Sequence, residues 1–330
     1  MWTRSMLKSQ AKANLKTKYW SAFVVTLIIS ILGGGASAFS GRFSGGSIGM
    51  DSETLKQMQA GDFQQYFTYL EDFFHSGLFV ASIFLGLLAS LIGIAFAIFV
   101  SAVVQVGGNR WFSRSRESAG APNVGMIFSL FKAGSYLKTV GGMLWMNLFL
   151  FLWNLLASVP LFIGVIYTGV KLFQTDFSGM QDLTSKQMAD LILKLAGEYG
   201  PLLGLLTLAS ILLSIPYIIK TYSYRMTPWI LADNPAIGYR RALQLSKVMT
   251  RGHKWNIFVL DLSFIGWYLL GFLACCIGTI FVIPYVYAVQ AELFAVLRTE
   301  SVASGQCTME EFGYVKVSAP VPETPANTVY

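Results

Sequence analysis

The sequence predicts an all-α integral membrane protein with six transmembrane helices, arranged as three repeated helical hairpins that each follow a basic amphipathic helix. Composition is the first reason: 54% of the 330 residues are hydrophobic, only 12% are charged, and the mean hydropathy is +0.56. Soluble domains carry about 25% charged residues. The other two reasons are a set of long apolar runs and an internal repeat.

Six apolar runs are each long enough to cross a bilayer core of about 30 Å. They cover about residues 19–39, 77–106, 140–170, 201–224, 255–273 and 277–297. We therefore predict a six-span membrane domain over residues 1–297, extracytoplasmic segments at 40–76 and 171–200, and a cytoplasmic, partly disordered tail over 298–330. The last two runs are so close together that they should form a tight hairpin.

The distribution of positive charge predicts the orientation. Of the 24 Lys and Arg residues, 19 lie on one side of this arrangement and five on the other. Cytoplasmic loops are rich in Lys and Arg, so both termini should be cytoplasmic. The net charge of +7 then predicts contact with anionic membrane lipids on the cytoplasmic side. Nucleic acid is not expected, because no soluble basic face is evident. Protein partners are not indicated, and a homo-oligomer is compatible with the sequence.

An internal repeat supports the hairpin arrangement. Residues 11–28 align without a gap on residues 246–263. The alignment pairs Lys12 with Lys247, Lys16 with Arg251, Trp20 with Trp255 and Phe23 with Phe258. A looser third copy, 128–149, again begins a span behind lysines. The match at Trp20 favours a retained first span over the alternative, a signal peptide cleaved near Ala36-Ser37-Ala38.

The segments before the spans have helical charge spacing. In residues 3–18, four cations recur every four residues and so share one helical face: Arg4, Lys8, Lys12 and Lys16. We expect such helices, here and in 236–254, to lie in the inner headgroup layer. The alternative is a solvated basic linker. Outside, 52–74 and 185–196 have amphipathic spacing that predicts helices capping the bundle or binding a partner, with Ser185 as a candidate N-cap.

One carboxylate lies inside an apolar run. Asp261 is six residues past Trp255, and an ionisable residue at membrane depth costs about 2.5–3.5 kcal/mol on insertion scales. Other polar side chains fall in the same half of the bilayer, which predicts an intramembrane cluster. Its candidate members are Asp261, Arg225, Glu292, Gln290, Gln105 and Arg110. Two interpretations stay open: a binding vestibule or ion relay, and a structural ion pair between Asp261 and Arg225.

Signals for catalysis are absent from the sequence. It contains no HExxH, nucleophile elbow or phosphate loop, and its two histidines are far apart. The paired glycines of 104–111 do not form a nucleotide fingerprint. We therefore expect no catalytic residues, no metal and no cofactor, and do not expect an enzyme.

The stretch from 242 to 270, followed by 278–285, resembles a bacterial integral-membrane family known as domain of unknown function 975. The resemblance rests on a Ser-x-x-Met-x-x-Gly-x-x-Trp pattern, a Leu-Asp-Leu-Ser-Phe-Ile-Gly-Trp block and a late Pro-Tyr. The motif residues are Ser246, Met249, Gly252, Trp255, Asp261, Gly266, Trp267, Pro284 and Tyr285. A fainter similarity links the basic segment and Trp to the membrane region of some glycerophosphodiester phosphodiesterases. The family resemblance implies a bacterial plasma-membrane location. It does not indicate an activity or assign a function to any residue.

Two functions follow as hypotheses. The first is a non-enzymatic transport, efflux or membrane accessory component that handles hydrophobic or lipid-like material. The alternative is a structural or interaction subunit, or a stress or immunity factor, of the plasma membrane.

Overall fold

Every regular element in the described part of the chain is helical. The computed structural model describes residues 2–44, 77–174, 185–273 and 278–314. The α-helices are α1 (Arg4–Leu15), α2 (Tyr19–Ser44), α3 (Gly77–Phe96), α4 (Ala102–Glu117), α5 (Tyr136–Gln174), α6 (Ser185–Tyr224), α7 (Thr227–Asp233), α8 (Tyr239–Met249), α9 (Lys254–Leu262), α10 (Ile265–Leu273) and α11 (Gly278–Ala303). A π-helical turn, Ala97–Ser101, joins α3 to α4, and short 3-10 helices cover Val124–Phe131, Pro235–Ile237 and Glu310–Phe312.

The helices include enough long apolar segments for a multi-span membrane protein. Within the described residues, five helices are long and apolar enough to cross a bilayer, and a sixth is added if the bent pair α1 and α2 counts as one span. The protein is thus all-helical and membrane-like. Helices α5 and α6 have 39 and 40 residues. At about 1.5 Å per residue each is roughly twice as long as the bilayer core is thick, so each must extend beyond the membrane.

Helix α1 lies across the direction of the span that follows it. The two helix axes differ by 103°, with the chain turning over residues 16–18. Three apolar residues one turn apart, Leu7, Ala11 and Leu15, are buried on one face of α1. That face packs toward α11, and the hydroxyl of Thr3 caps the N-terminus by accepting from Met6 N at 3.2 Å. The predicted amphipathic helix is therefore present; its place in the headgroup layer stays a prediction.

The same helix breaks recur in the C-terminal copy. With the offset of the sequence alignment, the start of α1 corresponds to the start of α8, and the start of α2 corresponds to the start of α9. The middle unit differs, and the prediction of a basic amphipathic helix before each hairpin is wrong there. Its segment Val124–Phe131 is a 3-10 helix without a single cation, and Lys132 lies in the turn after it. The reason is compositional, because this stretch has no charged positions from which a basic face could form.

The centre of the molecule is α11 and the inner ends of its neighbours. In the most apolar 18-residue stretch of α11, 56% of the residues are buried. In the corresponding stretch of the continuous helical segment Val80–Glu117, which comprises most of α3, the π-helical turn and α4, none is buried. Helices α1, α2, α4, α8 and α10 all contact α11. Every residue of the short helix α7 is buried. The compact core therefore lies at the side predicted to be cytoplasmic, and the helices that extend from it expose apolar side chains to the membrane.

Two segments differ from the sequence expectation in their connections. The amphipathic stretch 185–196 is the beginning of α6 rather than a separate helix, and Ser185 is the first helical residue. The tail does not leave the fold at residue 298, because α11 continues to Ala303 and residues 304–314 fold back with Phe312 fully buried. The predicted outer helix 52–74 and the polar end of the tail, 318–330, lie outside the described residues.

Candidate functional site

The intramembrane carboxylate has the arginine partner that the sequence predicts. Arg225, in the turn after α6, donates from both terminal nitrogens to Asp261 of α9, with Nη2 at 2.8 Å from Oδ1. The Tyr222 hydroxyl donates to Oδ2 of the same carboxylate over 3.2 Å. A bidentate pair of this kind suits the planar guanidinium fork. The pair ties α6 to α9, so the structural interpretation of Asp261 gains support.

The other candidates do not gather around this pair. Glu292 is buried and accepts from Arg116 Nε at 2.7 Å, forming a second ion pair that joins α4 to α11. Within the described ranges, no hydrogen bond links Gln290, Gln105 or Arg110 to Asp261, and Gln105 is exposed. Residues at the same depth in the membrane need not be in contact. Successive residues of a helix point in different directions around its axis, so side chains on neighbouring helices can face away from each other.

The family-like motif surrounds the junction between α6, α8 and α9. The Ser246 hydroxyl accepts from Met226 N at 3.1 Å and donates to the Ser223 carbonyl at 2.9 Å, which fastens α8 to the turn after α6. Gly252 has φ +84°, a backbone conformation that side chains disfavour. Of the other motif residues, Met249 and Pro284 are buried and Trp255 is exposed. Gly266 and Trp267 lie in α10, and the ring centroids of Trp267 and Tyr285 are 6.2 Å apart. Among them, Ser246 and the ring pair of Trp267 and Tyr285 join different helices.

The structure contains a buried arginine network that was not predicted from the sequence. Arg298, only 7% exposed, binds Asp233 Oδ2 at 2.6 Å, Glu117 Oε1 at 3.2 Å and the Tyr314 hydroxyl at 2.7 Å. The Tyr314 hydroxyl also donates to Glu117 Oε1 at 2.6 Å. Burial, with Asp233 and Glu117 nearby, raises the pKa of Tyr314 to about 12. The network fixes the tail against the inner core, and no sequence spacing links residues so far apart.

A second ion pair, between Arg241 and Glu311, also fastens the tail to the helices. Arg241 of α8 holds the carboxylate of Glu311 through Nε at 2.8 Å and Nη2 at 3.1 Å. This ion pair lowers the pKa of Glu311 and raises the pKa of Arg241. The Asn234 side chain also donates to the Glu311 carbonyl at 3.0 Å. Residues 306–314 are therefore part of the folded core.

The most ligand-like feature is an amphipathic groove between the start of α2 and the last hairpin. This inner groove has a volume of about 520 Å³. It is lined by Lys12, Leu15, Lys16, Tyr19, Trp267, Phe281, Val282 and Tyr285. Two lysines mark one part of the lining and aromatic or aliphatic side chains form the rest. Such a lining matches a molecule that has an anionic head and an apolar body.

A basic cleft adjoins the inner groove and shares Lys12 with it. The basic cleft has a volume of about 630 Å³ and is lined by Thr3, Arg4, Ser5, Lys8, Ser9, Lys12 and Ser263. Lys8 Nζ donates to the Ser263 carbonyl at 3.3 Å, at the break between α9 and α10, and lies over the Phe264 ring. The four-residue spacing of Arg4, Lys8 and Lys12 thus produces a real common surface. The sequence predicted the basic face, but not the hairpin it packs against.

The described part of the chain contains no group of three His, Cys, Asp or Glu side chains placed to hold a metal ion. No curated protein and no solved structure matches this chain. The similarity to the membrane region of glycerophosphodiester phosphodiesterases is therefore not found. The family model described as "Protein of unknown function (DUF975)" matches residues 1–300. Because this match covers residues 1–300 of the 330, the chain belongs to the DUF975 family of proteins of unknown function.

Proposed function

We propose that the protein is a non-enzymatic, six-span component of the bacterial plasma membrane that binds anionic, lipid-like amphiphiles at the inner leaflet. Both termini are cytoplasmic in this proposal. The contacts of α2 with α3, α5 with α6 and α10 with α11 support three consecutive hairpins. The charge bias of the sequence supports the orientation.

The inner groove is the observation that carries this proposal. Lys12 and Lys16 lie on the helix predicted to rest in the headgroup layer, whereas Trp267 and Phe281 belong to the last hairpin. A phosphate or carboxylate head would contact the lysines, and an acyl or other apolar chain would follow the aromatic wall. Membrane-surface lysines each contribute about 1 kcal/mol to binding of anionic lipid. The groove thus suits a transport, efflux or accessory component for such material.

Lipid selectivity of the purified protein tests the proposal. The protein in nanodiscs or detergent is titrated with phosphatidylglycerol and with zwitterionic phosphatidylcholine, and retained lipid is counted by native mass spectrometry. Replacing Lys12 and Lys16 together by Gln should weaken phosphatidylglycerol binding roughly thirtyfold, the equivalent of two such charge contacts. Phosphatidylcholine binding should change little, because it carries no net charge.

The repeat supplies a matched control. Lys247→Gln with Arg251→Gln removes the same two charges from the aligned positions of the C-terminal copy, which do not line the inner groove. This control should keep wild-type selectivity. Equal losses in both double variants would mean that general surface charge attracts the lipid, and the groove would then have no specific role.

The alternative is a structural or interaction subunit, which is favoured by one observation. The intramembrane carboxylate of Asp261 is already satisfied by Arg225 and Tyr222, as expected for a fixed helix contact. Flux of a fluorescent lipid-like probe through proteoliposomes separates the two functions. Under the transport hypothesis, the Asp261→Asn variant should lose flux while it remains folded. If the wild-type protein shows no flux, the function as a structural or interaction subunit is favoured.

A further inference from the structure

A third pocket, besides the inner groove and the basic cleft, gathers cations and has no carboxylate in its lining. It has a volume of about 580 Å³ and lies between α4, the 3-10 helix Val124–Phe131 and the start of α5. Its polar lining consists of Arg110, Arg114, Lys132, Ser129 and Ser135. None of its lining residues is acidic, and it shares no residue with the inner groove or the basic cleft. We call it the arginine pocket.

Arg110 is the main reason to expect a ligand. Its side chain is half-buried, and within the part of the chain that the structure describes it makes no ion pair or hydrogen bond. The acids near it bind other arginines: Asp233 holds Arg298 through Oδ2 at 2.6 Å, with its Oδ1 unpaired, and Glu117 holds Arg114 and Arg298 at 3.2 Å each. A guanidinium has five N–H donors, and leaving them unsatisfied away from water is costly. An anion in the pocket would satisfy them.

Ser129 adds a second unused donor. Its hydroxyl oxygen is buried and has no hydrogen-bond partner among the described residues. Buried hydroxyls are nearly always paired, so an unpaired one beside an unpaired arginine points to a missing acceptor. Lys132 and Ser135 complete the lining, just before α5 begins.

The sequence builds this arrangement through one close contact. A Cβ on Gly107 would lie 1.9 Å from the Ile127 carbonyl oxygen, so only glycine lets the 3-10 helix pack onto α4 at this distance. Arg110 follows Gly107 by about one helical turn, and Ser129 follows Ile127 by two residues. The contact brings together the two segments that carry these side chains, and both side chains line the same pocket. The neighbouring Gly108 has a different packing role, because a Cβ there would meet the Ile29 side chain of α2.

We propose that the arginine pocket binds a phosphate group, either the headgroup phosphate of a lipid or the phosphate of a soluble molecule. Arg114 is partly engaged by Glu117. The Arg110 guanidinium, the Lys132 ammonium and the Ser129 hydroxyl alone offer more donors than the two oxygens of a carboxylate can use. Phosphate presents more oxygens, and arginine binds it through two parallel hydrogen bonds. The proposal is independent of the inner groove, because it rests on different residues.

The test uses purified full-length protein with Lys12→Gln and Lys16→Gln already present, so that the inner groove does not contribute. One arm titrates inorganic phosphate against chloride at matched ionic strength by calorimetry. The other arm measures phosphatidylglycerol binding by native mass spectrometry. Either ligand should bind, and Arg110→Gln should weaken that binding at least tenfold. Arg251→Gln, which removes an exposed cation outside the pocket, should have no effect.

The two arms identify the source of the phosphate. Binding of inorganic phosphate indicates a soluble ligand, and binding of phosphatidylglycerol alone indicates a lipid headgroup. If Arg110→Gln fails to fold, Lys132→Gln removes an exposed lining cation and should give the same direction of change. Absence of binding in both arms, or binding that neither Arg110→Gln nor Lys132→Gln weakens, overturns the proposal.

Discussion

At the scale of single residues, Asp261 shows what a sequence can reveal about a polar group in an apolar run. A carboxylate at this depth needs a partner, and a long arginine side chain at the inner end of the preceding span can reach it. The structure pairs it with Arg225. Tyr222 was not foreseen, because a tyrosine at a helix end is also a common membrane-interface residue.

The pair predicts non-additive effects of mutation. Asp261→Ala and Arg225→Ala should each lower the free energy of unfolding, because each leaves the other charge without its partner. Since both side chains are partly exposed, at 28% and 22%, we expect about 1–3 kcal/mol for each change rather than the larger cost of a fully buried pair. Denaturant unfolding in detergent measures it. The double variant should recover part of the loss.

One control variant and one contrary outcome define this result. Arg251→Ala removes an exposed cation at the same interface and should cost almost nothing. If the effects of Asp261→Ala and Arg225→Ala simply add, the two residues do not interact energetically, and Asp261 would then be free for the ion relay or vestibule role.

The arginine network and the arginine pocket mark the limit of prediction at this scale. Arg298 binds a residue 65 positions earlier in the chain and another 16 positions later. No local spacing encodes such contacts, so the tail seemed separate from the membrane domain. Arg110 was predicted as a member of the Asp261 cluster, and no hydrogen bond of the described residues supports that assignment. Helical periodicity predicts the position of a side chain along and around its own helix. It does not predict which side chains of other helices lie next to it.

At the scale of elements, the repeat predicted where two of the helices break. The turns after α1 and α8 fall at aligned positions, because both copies combine a basic amphipathic helix with an apolar run that begins at a tryptophan. The middle copy was matched mainly by its lysines, and lysines alone do not specify an α-helix. That is why its lead segment could not be predicted from the same pattern.

The packing of α4 on the 3-10 helix gives a prediction at this scale. Gly107→Ala should destabilise the protein by at least about 2 kcal/mol, because the new Cβ meets the backbone carbonyl of Ile127, which cannot move aside like a side chain. Thermal unfolding in detergent, followed by circular dichroism, measures the change. It should also weaken ligand binding in the arginine pocket.

Gly141→Ala is the matched control for this substitution. Gly141 lies within α5 and has no atom within 4 Å of its added Cβ. Alanine favours the helix over glycine by about 1 kcal/mol, so this variant should be unchanged or more stable. Equal behaviour of the two variants would show that the close contact at Gly107 does not exist.

At the scale of the whole molecule, composition determined most of the outcome. Long apolar runs, scarce charge and an uneven distribution of Lys and Arg predicted an all-helical membrane protein. The position of the core could not be predicted in this way. It lies at one end, around α7 and the inner half of α11, because α1, α4 and α8 bring amphipathic faces together there. The inner groove, the basic cleft and the arginine pocket all lie among these elements.

The side of the membrane on which this end lies is the central claim, and topology reporters test it most directly. Fusions of alkaline phosphatase and green fluorescent protein are placed after Asp62, Ser118, Ser185 and Ala236, and their activities are compared in whole cells. The account predicts that the fusions at Asp62 and Ser185 report the outside and those at Ser118 and Ala236 the cytoplasm. A fusion at Ser118 or Ala236 that reports the outside would contradict it, because the basic pockets would then face away from the inner leaflet.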